Sequence, residues 1–202
     1  MKISKLILAV VSAAVLLGAL TSAASAGRLS NSSQTGITLW RTLNFTGPFG
    51  TVECEVLLAG TYHSRTITKT AGSLIGYITA GTILGCRRGS ATINQASFPW
   101  HRRYRSFSGT LPNITSIEET ISGAEWTIRE PTFGATCTVR AANGTSIGTY
   151  TREAGGAITR AAASSTANRC EGALNAEGTL SGSETNVATA LTGGSRITVT
   201  LI

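Results

Sequence analysis

An all-β fold, a disulfide-bonded antiparallel β-sandwich or flattened barrel, is predicted for most of this chain by three observations. Short runs alternate apolar and polar residues with period two; Gly, Pro or Asn bounds nearly every run; and the chain beyond residue 26 is almost free of helical periodicity. No internal repeat of fixed period is visible, which argues against a propeller or solenoid and leaves a two-layer sheet or a closed sheet as the architecture.

Residues 1–26 read as a cleaved export signal. Lys2 and Lys5 form the basic start, Leu6 to Leu20 form the apolar run, and Ala24-Ser25-Ala26 supplies the small-x-small cleavage pattern before Gly27. The run breaks into Thr21-Ser22-Ala23 before reaching the roughly 20 apolar residues of a membrane-spanning helix, and no second run of that length follows. Residues 27–202 are expected to form a single all-β domain with no transmembrane segment, secreted or loosely associated with the cell surface.

Within it, Val52, Cys54, Val56 and Leu58 share one strand face while Glu53 and Glu55 share the other. Strands are expected over Leu74 to Leu84, Ala91 to Gln95, Trp100 to Phe107, Ile114 to Ile121, Glu125 to Arg129 and Thr136 to Arg140. The ending Arg196-Ile197-Thr198-Val199-Thr200-Leu201-Ile202 alternates well enough to close a sheet. Between 141 and 192 the composition turns to Ala, Gly, Ser and Thr and the periodicity fades, which predicts a loop-rich region with edge strands. An outer-membrane barrel is disfavoured, because only twelve residues are aromatic and such barrels need aromatic girdles.

Cys54, Cys86, Cys137 and Cys170 all lie beyond the signal, in a compartment where disulfides persist. Four cysteines allow three pairings. The favoured one joins Cys54 to Cys86 and Cys137 to Cys170, each closing a loop of just over thirty residues worth roughly 3 to 4 kcal/mol. Cys-x-x-Cys spacing is missing, so no metal site is expected.

Composition excludes further chemistries. All ten acids are Glu, which removes Asp-rich calcium loops and aspartic dyads; two His and one Met leave too few ligands for a multi-His metal site, and no cofactor is expected. Beyond the signal, fifteen basic side chains, fourteen of them Arg, face ten Glu. That modest positive charge suits anionic surroundings, yet with one lysine and no basic tail it does not suit nucleic acid.

Gly144-Thr145-Ser146-Ile147-Gly148 matches the nucleophile elbow in letters only: both His precede it and no helix pattern follows, so a glycine-bounded turn is expected. Glu53 and Glu55 project in parallel about 6.5 Å apart from one strand, whereas glycosidase carboxylates flank a bond from opposing sides; they read as a solvent face. Glu118 and Glu119 are adjacent and face opposite ways. A hydrolase would need His63 or His101 to meet a Glu across strands. Asn-x-Ser/Thr sequons begin at Asn31, Asn44, Asn113 and Asn143.

The candidate binding residues are Trp100, His101, Arg102, Arg103, Tyr104 and Arg105. On an ideal strand Trp100, Arg102 and Tyr104 share one face, and His101, Arg103 and Arg105 the other. Such a surface stacks sugars and pairs with phosphate or carboxylate; the competing reading buries the aromatics and lets the arginines snorkel.

The stretch from Phe98-Pro99-Trp100-His101 to Leu111-Pro112-Asn113-Ile114-Thr115, with Cys54-Glu55-Val56, Tyr62-His63-Ser64-Arg65-Thr66-Ile67-Thr68-Lys69 and, more weakly, the ending Arg196 to Ile202, resembles a group of uncharacterised secreted bacterial β-proteins. The resemblance covers roughly residues 50 to 140, implies a secreted β fold, and carries over no catalytic residue. The function expected is that of a non-enzymatic extracellular β-domain, structural or binding an anionic envelope polymer or glycan; the alternative is a small secreted hydrolase.

Overall fold

The computed structural model describes residues 28–47, 50–110, 113–131, 134, 136–140, 145–152, 158–164, 168–170, 176–185, 188–191, 193–195, 197 and 199–201; over 109–115, 145–164, 168–178, 183–190 and 199–201 this covers the backbone alone. The expected signal and its cleavage site, residues 1–27, lie outside the described residues.

Eight strands form one antiparallel circuit: β2 (Thr35–Gly47), β3 (Gly50–Tyr62), β5 (Leu74–Arg87), β7 (Trp100–Thr110), β8 (Asn113–Ser122), β11 (Thr145–Arg152), β12 (Ile158–Ser164) and β14 (Ala176–Thr185). Each pairs with the next, and β14 pairs back onto β2, with Leu180 opposite Phe45 and Gly182 opposite Leu43. On its other side Gly182 stands opposite Ala163 of β12, so the ladder closes and the barrel alternative describes this fold. Short strands β13 (Asn168–Cys170) and β15 (Ala188–Ala190) flank β14 and β2.

Two three-stranded sheets cover the barrel's ends. At one end β1 (Arg28–Asn31) lies between β4 (Thr66–Thr68) and β16 (Val199–Leu201); at the other β9 (Glu125–Arg129) lies between β6 (Ser90–Ile93) and β10 (Thr136–Arg140). Connectivity places them, because β4 joins the end of β3 to the start of β5, whereas β6 joins the end of β5 to the start of β7.

The inward positions are those the alternation marked. Val52, Cys54, Val56, Leu58 and Tyr62 of β3 are buried with Trp40, Leu43 and Phe45 of β2, Trp100 and Tyr104 of β7, and Ile117 and Ile121 of β8. Trp126 of β9 meets Phe45 edge-on, ring centroids 5.3 Å apart, and lies 5.2 Å from Trp100, which stacks on Phe98 at 4.6 Å. Eight strands enclose too little width for large side chains at every inward position, so small residues alternate with large ones. Gly81 makes room in this way: a Cβ there would come 2.7 Å from Ile93 Cδ1 and 2.8 Å from Leu58 Cδ2.

Three expectations need correction. Residues 141–192 supply β11, β12 and β14 to the circuit, beyond loops and edges alone; in β14, Gly182 fits where a Cβ would crowd Trp40 and Leu43. The C-terminal strand pairs with β1 in an end sheet and does not close the main one. The segment from Ala91 ends as a strand at Ile93 and passes into a single 3-10 turn, Gln95–Ser97, where the Asn94 side chain accepts from the Ala96 N–H at 3.1 Å.

Cys54 and Cys86 stand opposite each other on β3 and β5, Cα atoms 4.1 Å apart, and are disulfide-bonded as expected. Cys137 is also disulfide-bonded, and no described cysteine is free. The side chain of its expected partner, Cys170, lies outside the described residues.

Candidate functional site

Strand β7 divides the six candidate binding residues by parity. Trp100, Arg102 and Tyr104 are 1%, 7% and 3% exposed, whereas His101, Arg103 and Arg105 are exposed on the outer face. The expectation that all six face a ligand is therefore corrected: the first three point into the barrel.

Arg102 tolerates burial because its charge is matched. Its Nε donates to Glu119 Oε2 at 2.7 Å, and its Nη2 lies 2.7 Å from the same oxygen while donating to Tyr62 Oη at 2.6 Å. The Tyr62 hydroxyl donates in turn to Glu119 Oε1 at 2.8 Å, and the guanidinium carbon sits 4.2 Å from the centre of the Tyr62 ring. A buried guanidinium with no such partners is too costly to keep. Burial also pushes the Tyr104 phenol above the usual tyrosine range. The remaining void beside this network, lined by Gly60, Tyr62, Ile78 and Arg102 among others, is about 30 Å³, water-sized and too small for a substrate.

The outer face holds a grouping that sequence reading missed. Tyr77 of β5 stands opposite His101 of β7, ring centroids 5.4 Å apart, and on its other side meets His63 edge-on at 4.9 Å. The chain's two histidines thus flank one tyrosine, brought together by the β3–β5–β7 register. Arg103 follows His101 along the same face and donates through Nη1 to the Gly72 carbonyl at 3.0 Å. Arg105 Nε lies 3.7 Å from Glu118 Oε2, a half-exposed pair weakened by solvent, and Ser106 donates to that same oxygen at 2.9 Å. Strand period and the shared Thr61–Tyr77–His101 row carried the signal, but only once strand pairing was known.

Among the described residues no hydrogen bond or ion pair joins His63 or His101 to a glutamate. Each imidazole touches Tyr77; Glu118, Glu119 and Glu125 are bonded elsewhere, Glu125 to Arg140 at 2.7 Å and Asn94 at 2.8 Å. Those two hydrogen bonds, Arg140 first, hold the Glu125 carboxyl below the usual glutamate range. Thr145 to Gly148 run as part of β11, with Ser146 opposite Ile121, so the elbow-like letters form a strand and neither an elbow nor the expected turn. Glu53 and Glu55 lie half-buried on the outer face, as expected of a solvent side. Of the sequons, Asn31 is 2% exposed and closed to modification in the folded chain. Among the described residues no group of three or more metal-ligating side chains converges.

The fold and this surface define a disulfide-bonded, end-capped antiparallel β-barrel with an aromatic and basic patch on its outer wall. Comparison with protein-family models, curated proteins and solved structures finds no match to the chain.

Proposed function

We propose that this chain is an exported, non-enzymatic β-barrel that binds anionic envelope polymers or glycans through the outer face of β5 and β7. The observation that carries the reading is the outward His63–Tyr77–His101 series, with both imidazoles exposed and Tyr77 half-buried between them, beside the exposed Arg103 and Arg105. Ring faces and edges stack on sugars, while arginine pairs bidentately with carboxylate or phosphate. Bonded cysteines support an oxidising compartment, and the resemblance of residues 50 to 140 to secreted β-proteins supports export. Outward charges at Arg41, Arg87, Arg103 and Arg105 speak against a lipid-facing wall, where each arginine would cost about 2 to 4 kcal/mol at mid-bilayer.

Co-sedimentation of the purified protein with isolated envelopes over a salt gradient tests this. Arg103→Ala with Arg105→Ala is expected to lower retention severalfold and flatten its salt dependence, leaving stability within about 0.5 kcal/mol of the parent. Unchanged retention and an unchanged salt slope would refute the assignment.

A further inference from the structure

A second surface feature lies on β2, β3 and β5, away from the aromatic patch. The β2–β3 ladder is interrupted between Trp40 and Leu43, so Arg41 and Thr42 bulge outward, both exposed. Bulges re-aim side chains and are over-represented beside functional sites. Here the bulge forms one wall of a groove of about 450 Å³, whose floor is Glu53 and Glu55 of β3 and whose far wall is Gly85 and Arg87 of β5. The Cys54–Cys86 disulfide ties floor to wall. The volume falls within the roughly 300 to 1,000 Å³ of ordinary small-ligand sites.

Three details set the chemistry. Glu53 stands in register with Arg87 across β3 and β5, yet among the described residues Glu53, Glu55 and Arg87 make no ion pair or side-chain hydrogen bond. Two half-buried carboxylates and an exposed guanidinium therefore line one concavity without neutralising one another. A bare cation gains at Glu53 and Glu55 but meets Arg87, and a bare anion gains at Arg87 but meets two carboxylates. A ligand carrying both signs gains at both walls. Finally, a Cβ built on Gly85 would find nothing within 4 Å, so the space above this glycine, opposite Glu55, is open.

We propose that this groove binds a small zwitterion, an amino acid or short peptide with its ammonium on Glu53 and Glu55 and its carboxylate on Arg87. The site is independent of the β5–β7 surface, so either assignment can fail without the other.

The experiment is titration of the full mature chain with alanine, trialanine, N-acetyl-trialanine and trialanine amide, read by calorimetry and by backbone amide shifts of β3 and β5. Trialanine is expected to bind, and each blocked peptide to bind at least roughly tenfold more weakly, since one charge-assisted contact is lost. Alanine binding as tightly as trialanine would identify an amino-acid site; weaker binding would identify a peptide site. In Glu53→Gln/Glu55→Gln the acetyl block should no longer matter, and in Arg87→Gln the amide should no longer matter. Gly85→Leu should abolish binding while leaving thermal stability unchanged, because its side chain enters open groove and not the core. Equal affinity for all three trialanine forms, no binding up to on the order of 10 mM, or a Gly85→Leu protein that binds like the parent would each overturn the proposal.

Discussion

Replacing Glu119 by Gln tests what holds the barrel interior together. Glu119 is 1% exposed and accepts from Arg102 and from Tyr62, so the substitution keeps the volume and removes the charge. Arg102 would then stay buried beside the Tyr62 hydroxyl, an amide oxygen and an aromatic face but would lose the Glu119 charge. Breaking a buried pair from one side costs about 3 to 5 kcal/mol, and in a domain of this size that lowers the melting temperature by on the order of 10 °C. Removing both charges with apolar residues of similar volume, Arg102→Met with Glu119→Leu, should recover most of the loss, since the desolvation cost vanishes with the pair. Thermal and urea unfolding followed by far-UV circular dichroism measure both variants. If Glu119→Gln loses less than about 1 kcal/mol, the buried charge is already compensated by something other than this carboxylate, and the account of Arg102 burial fails.

Two further outcomes are expected. Because the folded Glu125 carboxyl titrates below the ordinary glutamate range, its contribution to stability is present above that range and is lost as pH falls through the lowered folded value. With Arg140 half exposed the pair should supply under about 1 kcal/mol, so Arg140→Ala should slightly flatten the acid limb of a pH–stability curve, and a steeper limb would contradict the assignment. Replacing Cys54 and Cys86 together by Ser should cost up to about 4 kcal/mol from the reopened loop, measured by urea unfolding; a loss below about 1 kcal/mol would mean that strand pairing already restricts the unfolded chain there.

Period two made much of residues 50 to 140 readable, while β1, β2 and β4 went unread. Strands Glu125–Arg129 and Thr136–Arg140 match the structure at both ends, and the apolar face of β3 is the one that the alternation marked. Strands β11, β12 and β14 were illegible because their Ala, Gly, Ser and Thr composition blurs the alternation, and Gly182 of β14 looks like a loop residue until Trp40 and Leu43 are seen beside it. Arg102 was misread for a related reason. The carboxylate and hydroxyl that make its burial tolerable, Glu119 and Tyr62, lie 17 and 40 residues away, and no local pattern links them. The His63–Tyr77–His101 grouping was equally hidden, since it is a property of strand register and not of spacing along the chain.

The parity of β7 has a consequence for how this chain can change. Interior packing and solvent exposure are interleaved there residue by residue: Trp100, Arg102 and Tyr104 serve the interior, while His101, Arg103 and Arg105 meet solvent. A library randomised across these six positions should show tolerance oscillating from one position to the next. Odd-numbered positions could be rewritten without disturbing the fold, whereas Arg102 could be rewritten only together with Glu119, two strands' worth of sequence moving as one unit.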